Sequence, residues 1–293
     1  VDAVADLAIT GSTGALGGRV ARALADRGIE QRLIVRNAGR APDLAGAEVR
    51  EVPGGYADPD GFGAALAGVG TLFLVSAGEA PDRVDQHRVA VEAAAAAGVE
   101  RIVYTSFLGA AADSTFILGR DHWATEQAIR DAGVALTFLR DSFYMDFIPY
   151  FAGPERTFRG PAADGRLAPV SRDDVAAVAV EVLSALGAHD GKTYGLTGPE
   201  LFTLAEAAER MTAYTGEPYS YEVETIDEAW ASRRPTGAPD WMIEGWISTY
   251  VAIADGSLDR VTGDVAAITG RAPQALEQTL DAHPELLAGS LPG

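Results

Sequence analysis

Gly11, Gly14 and Gly17 stand three residues apart in the run Gly11-Ser12-Thr13-Gly14-Ala15-Leu16-Gly17, which joins an apolar stretch at 7–10 to a segment with helical periodicity. That spacing suits one kind of ligand. A dinucleotide pyrophosphate needs backbone N–H groups at a helix N-terminus, a residue without Cβ where the chain approaches it, and a small residue where helix meets strand. The run therefore predicts a binding turn made by Gly11, Thr13, Gly14, Ala15, Leu16 and Gly17, the alternative being a glycine-rich turn that holds nothing. Enzymes that hold a free ribose 2′-hydroxyl place Asp or Glu about 20 residues beyond such glycines. Here the residue is Arg36, followed by Asn37. A guanidinium pairs with a 2′-phosphate and stacks on adenine, so NADP(H) is expected over NAD(H), with Asn37 adding a hydrogen bond. A solvated surface arginine is the other reading.

The elements that must position these residues follow from hydrophobic patterning. Short apolar runs at 7–10, 31–35, 48–52, 71–76, 101–105 and 135–139 alternate with Ala-rich helical stretches, the pattern of β-α-β units around a parallel sheet buried on both faces. Leu16, Val20 and Leu24 lie at i, i+4 spacing before Gly28, and Asp58-Pro59 reads as an N-cap with proline at N1. Beyond residue 150 the alternation loosens. A short run at 167–170 precedes Ser171-Arg172-Asp173-Asp174, a helix-start pattern leading to a helix that ends near Leu186, and 193–196 reads as a strand. Helices are expected at 204–214, 227–232, 241–254 and 273–282. The fold class is α/β, a Rossmann doubly wound parallel sheet (1–152) with a smaller, mostly helical substrate lobe (153–293), from which 167–197 return to the Rossmann core. On this topology Tyr56 lies where adenine would rest, and Ser76 and Ala77 lie near the nicotinamide ribose.

Composition excludes several classes. The 293 residues include no cysteine, so disulfides, thiolate metal sites and thiol nucleophiles are ruled out, and a reducing cytoplasm is expected. With 23 basic against 42 acidic side chains the net charge is −19, which lacks the footprint needed for nucleic acid or an anionic membrane surface. No apolar run approaches the roughly 20 residues that span a bilayer, and Val1-Asp2-Ala3 shows no basic region of a leader peptide. His87, His189 and His283 are far apart, without ligand spacing, and no metal is expected.

Several further motifs accompany the glycine run: Leu33-Ile34-Val35-Arg36-Asn37, Tyr104-Thr105-Ser106, His122-Trp123-Ala124-Thr125-Glu126, Thr137-Phe138-Leu139-Arg140 and Pro169-Val170-Ser171-Arg172-Asp173-Asp174. Together they resemble the NmrA-like atypical short-chain dehydrogenase/reductase family, of the triphenylmethane reductase and NAD(P)H:quinone oxidoreductase type. The resemblance implies an NADP-binding Rossmann domain, a C-terminal lobe closing a cleft, and hydride transfer to an aromatic or quinone-like acceptor. It also admits a non-catalytic NADP sensor of the NmrA type, or a tailoring reductase or oxygenase acting on a polycyclic aromatic metabolite.

The chain departs from the superfamily's Tyr-x-x-x-Lys pair. His122 occupies the lysine position and Leu118 the tyrosine position, and Gly55 stands where relatives commonly carry an aspartate near adenine. Reducing a simple ketone needs a proton for the developing alkoxide, so the missing tyrosine argues against alcohol dehydrogenation and sugar epimerisation. Quinones and cationic dyes take hydride into a delocalised π system and demand less of an acid. His122 is expected either to hold the nicotinamide ribose or to donate a proton, since imidazole titrates near neutral pH; a solvent-facing histidine is the alternative. Ser106 takes the place of the superfamily's substrate-binding hydroxyl and is expected to be catalytic, the alternative being a strand-end serine that caps a loop. Phe143, Tyr144 and Phe147, after the sixth strand, and Trp123 are expected to wall the acceptor; plain packing also explains that spacing except at Tyr144, whose hydroxyl requires a partner and which is favoured as catalytic. Glu126 is expected to face solvent.

Overall fold

The computed structural model describes residues 6–185 and 187–288. Val1-Asp2-Ala3 and Leu186 lie outside the described residues. The first half alternates as expected: β1 (Leu7–Thr10), α1 (Ala15–Asp26), β2 (Gln31–Val35), β3 (Ala47–Glu51), α2 (Pro59–Ala65), β4 (Thr71–Leu74), α3 (Arg83–Ala96), β5 (Arg101–Phe107), α4 (Ile117–Asp131) and β6 (Ala135–Asp141). The rest comprises α5 (Ile148–Ala152), β7 (Thr157–Gly160), β8 (Arg166–Leu167), α6 (Arg172–Ser184), β9 (Lys192–Leu196), β10 (Phe202–Thr203), α7 (Leu204–Thr215), β11 (Ser220–Val223), α8 (Ile226–Arg233), α9 (Asp240–Ala254), α10 (Asp264–Thr269) and α11 (Leu276–Ala282).

Seven strands form the central sheet in the order β3-β2-β1-β4-β5-β6-β9. β1 pairs in parallel with β2 on one side, Thr10 opposite Ile34, and with β4 on the other, Ile9 opposite Phe73. The strand order therefore reverses between β1 and β4, and it is at such a switch point, outside the carboxyl ends of the strands, that open α/β sheets hold ligands. Every residue of β1, β2 and β4 is buried, because helices cover both faces. α1 packs Leu16, Val20 and Leu24 inward and ends before Gly28, whose φ of 72° takes the chain out of the helix. Asp58 caps α2 by accepting the Gly61 N–H at 2.9 Å.

The chain packs as two compact units, one made by the chain up to Ser106, Asp121–Arg140 and Val175–Tyr194, the other by Phe107–Arg120, Asp141–Asp174 and the chain from Gly195. The first unit's core gathers Ile34, Phe62, Leu72, Leu74, Ile102, Tyr104 and Phe138. That of the second gathers Phe107, Phe116, Phe158, Met211, Tyr250 and Leu280, with Leu118 packed against it. Two elements of the second unit depart from expectation. The run at 167–170 contributes only Leu167 to a strand, paired with Phe202, since Pro169 has no N–H to offer a ladder. β7 and β11 form a parallel pair that no apolar run announced, because most of their side chains are exposed or half-exposed. Among the described residues no helix is long and apolar enough to cross a membrane.

Candidate active site

In the first unit the glycine run turns directly from β1 into α1. Gly11 has φ 66°, and its carbonyl accepts the Gly14 N–H at 2.9 Å. A Cβ on Gly17 would collide with the Gly11 carbonyl oxygen and lie 2.9 Å from that of Thr10, so this glycine lets helix and strand touch. Gly14 differs: a Cβ there would meet only the Gly11 carbonyl oxygen, at 3.4 Å. Gly14 is the N-cap of α1 with no side chain capping it, and the first turn holds no acidic residue. The free N–H groups and the positive end of the helix dipole thus point into the space beside Thr13 and Gly14, both exposed. In the same turn the Ser12 hydroxyl is buried with no hydrogen-bond partner among the described residues. An anionic pyrophosphate fits this cradle in charge, in space and in donors. Leu16 is turned into the core, so any contribution it makes is through its backbone.

At the end of β2 the Arg36 side chain is exposed and makes no ion pair among the described residues. It lies along Gly55, where a Cβ would sit 3.3 Å from Arg36 Cγ and Cδ; the φ of 58° at Gly55 itself accounts for glycine there. Asn37 Oδ1 is engaged locally, accepting the Gly39 N–H at 2.9 Å. Tyr56 donates its hydroxyl to the Val75 carbonyl at 2.6 Å and sits 2.7 Å from Thr10 Oγ1, leaving only its half-buried ring for a ligand. Burial raises its phenol above the ordinary value.

Ser76 and Ala77 follow β4, their amides held by Thr105 Oγ1 at 2.8 Å and His87 Nε2 at 2.9 Å. His122 is buried on α4 rather than solvent-facing, with Nε2 3.2 Å from Arg83 Nη2 and Nδ1 2.9 Å from the Tyr104 hydroxyl. Because a guanidinium only donates, Nε2 accepts and the single imidazole proton sits on Nδ1. Burial, and then the Arg83 charge, hold this imidazole well below its ordinary pKa. With Nε2 turned to a guanidinium and its one proton, on Nδ1, directed at the buried Tyr104 hydroxyl, His122 does not meet the expectation of an imidazole that titrates near neutral pH. Ser106 is fully buried and donates to Glu126 Oε1 at 2.6 Å. Glu126, expected in solvent, is also fully buried, clasped by Arg140 at 2.8 and 2.7 Å and by Arg130 at 3.1 Å. A bidentate guanidinium offsets the desolvation of that carboxylate. Trp123 is half-buried with the Arg130 guanidinium 5.5 Å over its ring.

The second unit holds the aromatic cluster. Phe143, half-buried, packs against Phe107 and Phe116 at 5.1 and 5.2 Å. Tyr144 and Phe147 stack with an interplanar angle of 26°, and the Arg172 guanidinium lies 4.8 and 4.7 Å over their rings. The Tyr144 hydroxyl donates to Asp141 Oδ2 at 2.6 Å. Asp141 was not singled out by sequence, nor was the role of Arg172, whose motif reads as a helix start. Burial pushes the Asp141 carboxyl up from 3.8 to about 7, against the opposing influence of Tyr144 and Arg172. Between those two pH values the folded chain binds the proton that the unfolded chain has lost, so stability falls as pH rises through this window. We expect Asp141→Asn to flatten that fall, on the order of a few kcal/mol, in urea titrations at pH 5 and pH 8. Parallel profiles for the two proteins would contradict the assignment.

The family model described as NAD(P)H-binding matches residues 11–185. The chain belongs to the NAD(P)H-binding family. It is 30% identical to the NAD(P)H azoreductase of Xenophilus azovorans, over 94% of this chain and 96% of that protein. The structure of an NADPH-dependent quinone oxidoreductase from Escherichia coli, complexed with NADPH, superimposes with a TM-score of 0.85 at 33% identity, over 94% of this chain and 99% of that one. Triphenylmethane reductase of Citrobacter sp., complexed with NADP(H), gives 0.83 at 31% identity, over 94% and 99%. Membership makes this chain an NAD(P)H-dependent oxidoreductase with the Rossmann sheet expected from its sequence.

Proposed function

We propose that the protein is an NADPH-dependent reductase that passes hydride to an aromatic or quinone-like acceptor. The observation that carries the cofactor choice is Arg36, a guanidinium without an ion pair among the described residues, laid along Gly55 at the end of β2. In this reading the N–H groups at the α1 N-terminus hold the pyrophosphate, and Arg36 with Asn37 holds the 2′-phosphate. When bound, the nicotinamide supplies the hydride. Tyr144 and Phe147 present stacked, half-buried rings of the kind that suit a planar acceptor. Position 118 offers no phenol, since Leu118 packs against the second unit's core. This favours acceptors that need little acid assistance, and the quinone, azo and triphenylmethane names of the relatives support the same class.

The test is NADPH oxidation with menadione, an azo dye and a triphenylmethane dye, set against a simple secondary alcohol and a nucleotide sugar assayed with NADP+. Turnover of one or more of the first three, and none of the last two, is expected. Tight NADP binding with no acceptor reduced would favour a dinucleotide sensor instead.

A further inference from the structure

The segment 75–77, just past the end of β4, has its backbone polar groups claimed by side chains instead of by a strand. The Val75 N–H donates to Thr10 Oγ1 at 2.9 Å and the Val75 carbonyl accepts from Tyr56 at 2.6 Å. The Ser76 N–H donates to Thr105 at 2.8 Å. At Ala77 both groups are held from α3, the N–H by His87 Nε2 at 2.9 Å and the carbonyl by Arg83 Nε at 2.9 Å. Arg83 and His87 are four residues apart on one face of that helix and both are buried.

Behind this clamp the proton positions are determined. His87 Nε2 accepts, so its proton is on Nδ1, which lies 2.8 Å from Thr125 Oγ1; Thr125 in turn donates to the Asp121 carbonyl at 2.9 Å. The Tyr104 hydroxyl accepts from His122, whose far nitrogen faces Arg83. Burial, then Arg83, keep His87 neutral with a pKa lowered to about 3, so the acceptor at Nε2 survives across the working pH range.

The sheet order says which part of a dinucleotide this segment serves. Arg36 follows β2 on one side of β1, the phosphate turn follows β1 itself, and segment 75–77 follows β4 on the opposite side, with Val75 Cβ 3.0 Å from the place a Cβ on Gly11 would take. A dinucleotide laid across the switch point with its 2′-phosphate at Arg36 brings its nicotinamide half to β4. We infer that His87 is a positioning residue for the nicotinamide half of the cofactor, acting through the Ala77 amide to fix segment 75–77. This rests on the NADPH reading above.

Two ligands separate the two. NADPH carries both halves, whereas 2′-phospho-ADP lacks the nicotinamide ring and its ribose. His87→Leu should weaken NADPH about tenfold, the consequence of one buried amide left unpaired, and leave 2′-phospho-ADP unchanged. His87→Gln, whose amide can accept from Ala77 and donate to Thr125, should restore most of the loss. Thr125→Val, which frees the His87 ring without removing it, should show the same selectivity and serves if His87→Leu fails to fold. Equal weakening of both ligands, or of neither, in the folded variants would overturn the inference. Failure of the wild-type protein to bind 2′-phospho-ADP at all would strike the cofactor reading itself.

Discussion

Gly14→Val should lose at least about a hundredfold in NADPH affinity while the protein remains folded. The backbone at Gly14, φ −102° and ψ 177°, is extended and open to any residue, and a Cβ there meets nothing closer than 3.4 Å, so the fold has no cause to reject the side chain. The two γ-methyls instead occupy the space in front of the α1 N-terminus that the pyrophosphate needs. The neighbouring glycine provides the contrast. A Cβ on Gly17 would collide with the Gly11 carbonyl, so Gly17→Val should cost stability, about 1–3 kcal/mol or more, along with binding. Calorimetric titration with NADPH, paired with thermal melts, separates the two outcomes. Wild-type affinity in Gly14→Val would reduce the glycine run to a structural turn.

Arg36 carries the second large effect. Wild-type protein should bind NADPH more tightly than NADH, and Arg36→Ala should narrow the gap by about 1.5–3 kcal/mol, roughly ten- to a hundredfold, by removing a charge-assisted pair with the 2′-phosphate. NADH affinity should change far less. The Arg36 side chain makes no ion pair among the described residues, so its removal leaves no uncompensated carboxylate and stability should hold. Fluorescence titration of both cofactors against both proteins decides this, and equal wild-type affinities would refute it.

These two sites were legible because local rules fix them. β1 and β2 fall where expected, at Leu7–Thr10 and Gln31–Val35, because a strand buried on both faces must be a short unbroken apolar run, and Gly11, Gly14, Gly17 and Arg36 are placed by those strands' ends. The clamp on segment 75–77 was not legible. His87, Arg83, Tyr104 and His122 come from three elements, and nothing local says that their polar atoms will meet; the i, i+4 spacing of Arg83 and His87 is the one trace left in the sequence. Glu126 misled for the same reason. A carboxylate on a helix reads as solvated until Arg140, at the far end of β6, is folded against it. Asp141 and Tyr144 show the partial case: the sequence required a partner for the phenol, and the fold supplied one three residues away.

Hydride transfer to a quinone is the central claim, and isotopic labelling tests it most directly. NADPH deuterated at nicotinamide C4 on one face, and separately on the other, would be oxidised by the protein with menadione under anaerobic conditions. The account predicts acceptor-dependent oxidation that slows with one labelled face and not with the other, the mark of a cofactor held in a single orientation while C–H cleavage limits the rate. No acceptor-dependent oxidation of either labelled cofactor, by protein that binds NADPH tightly, would contradict it.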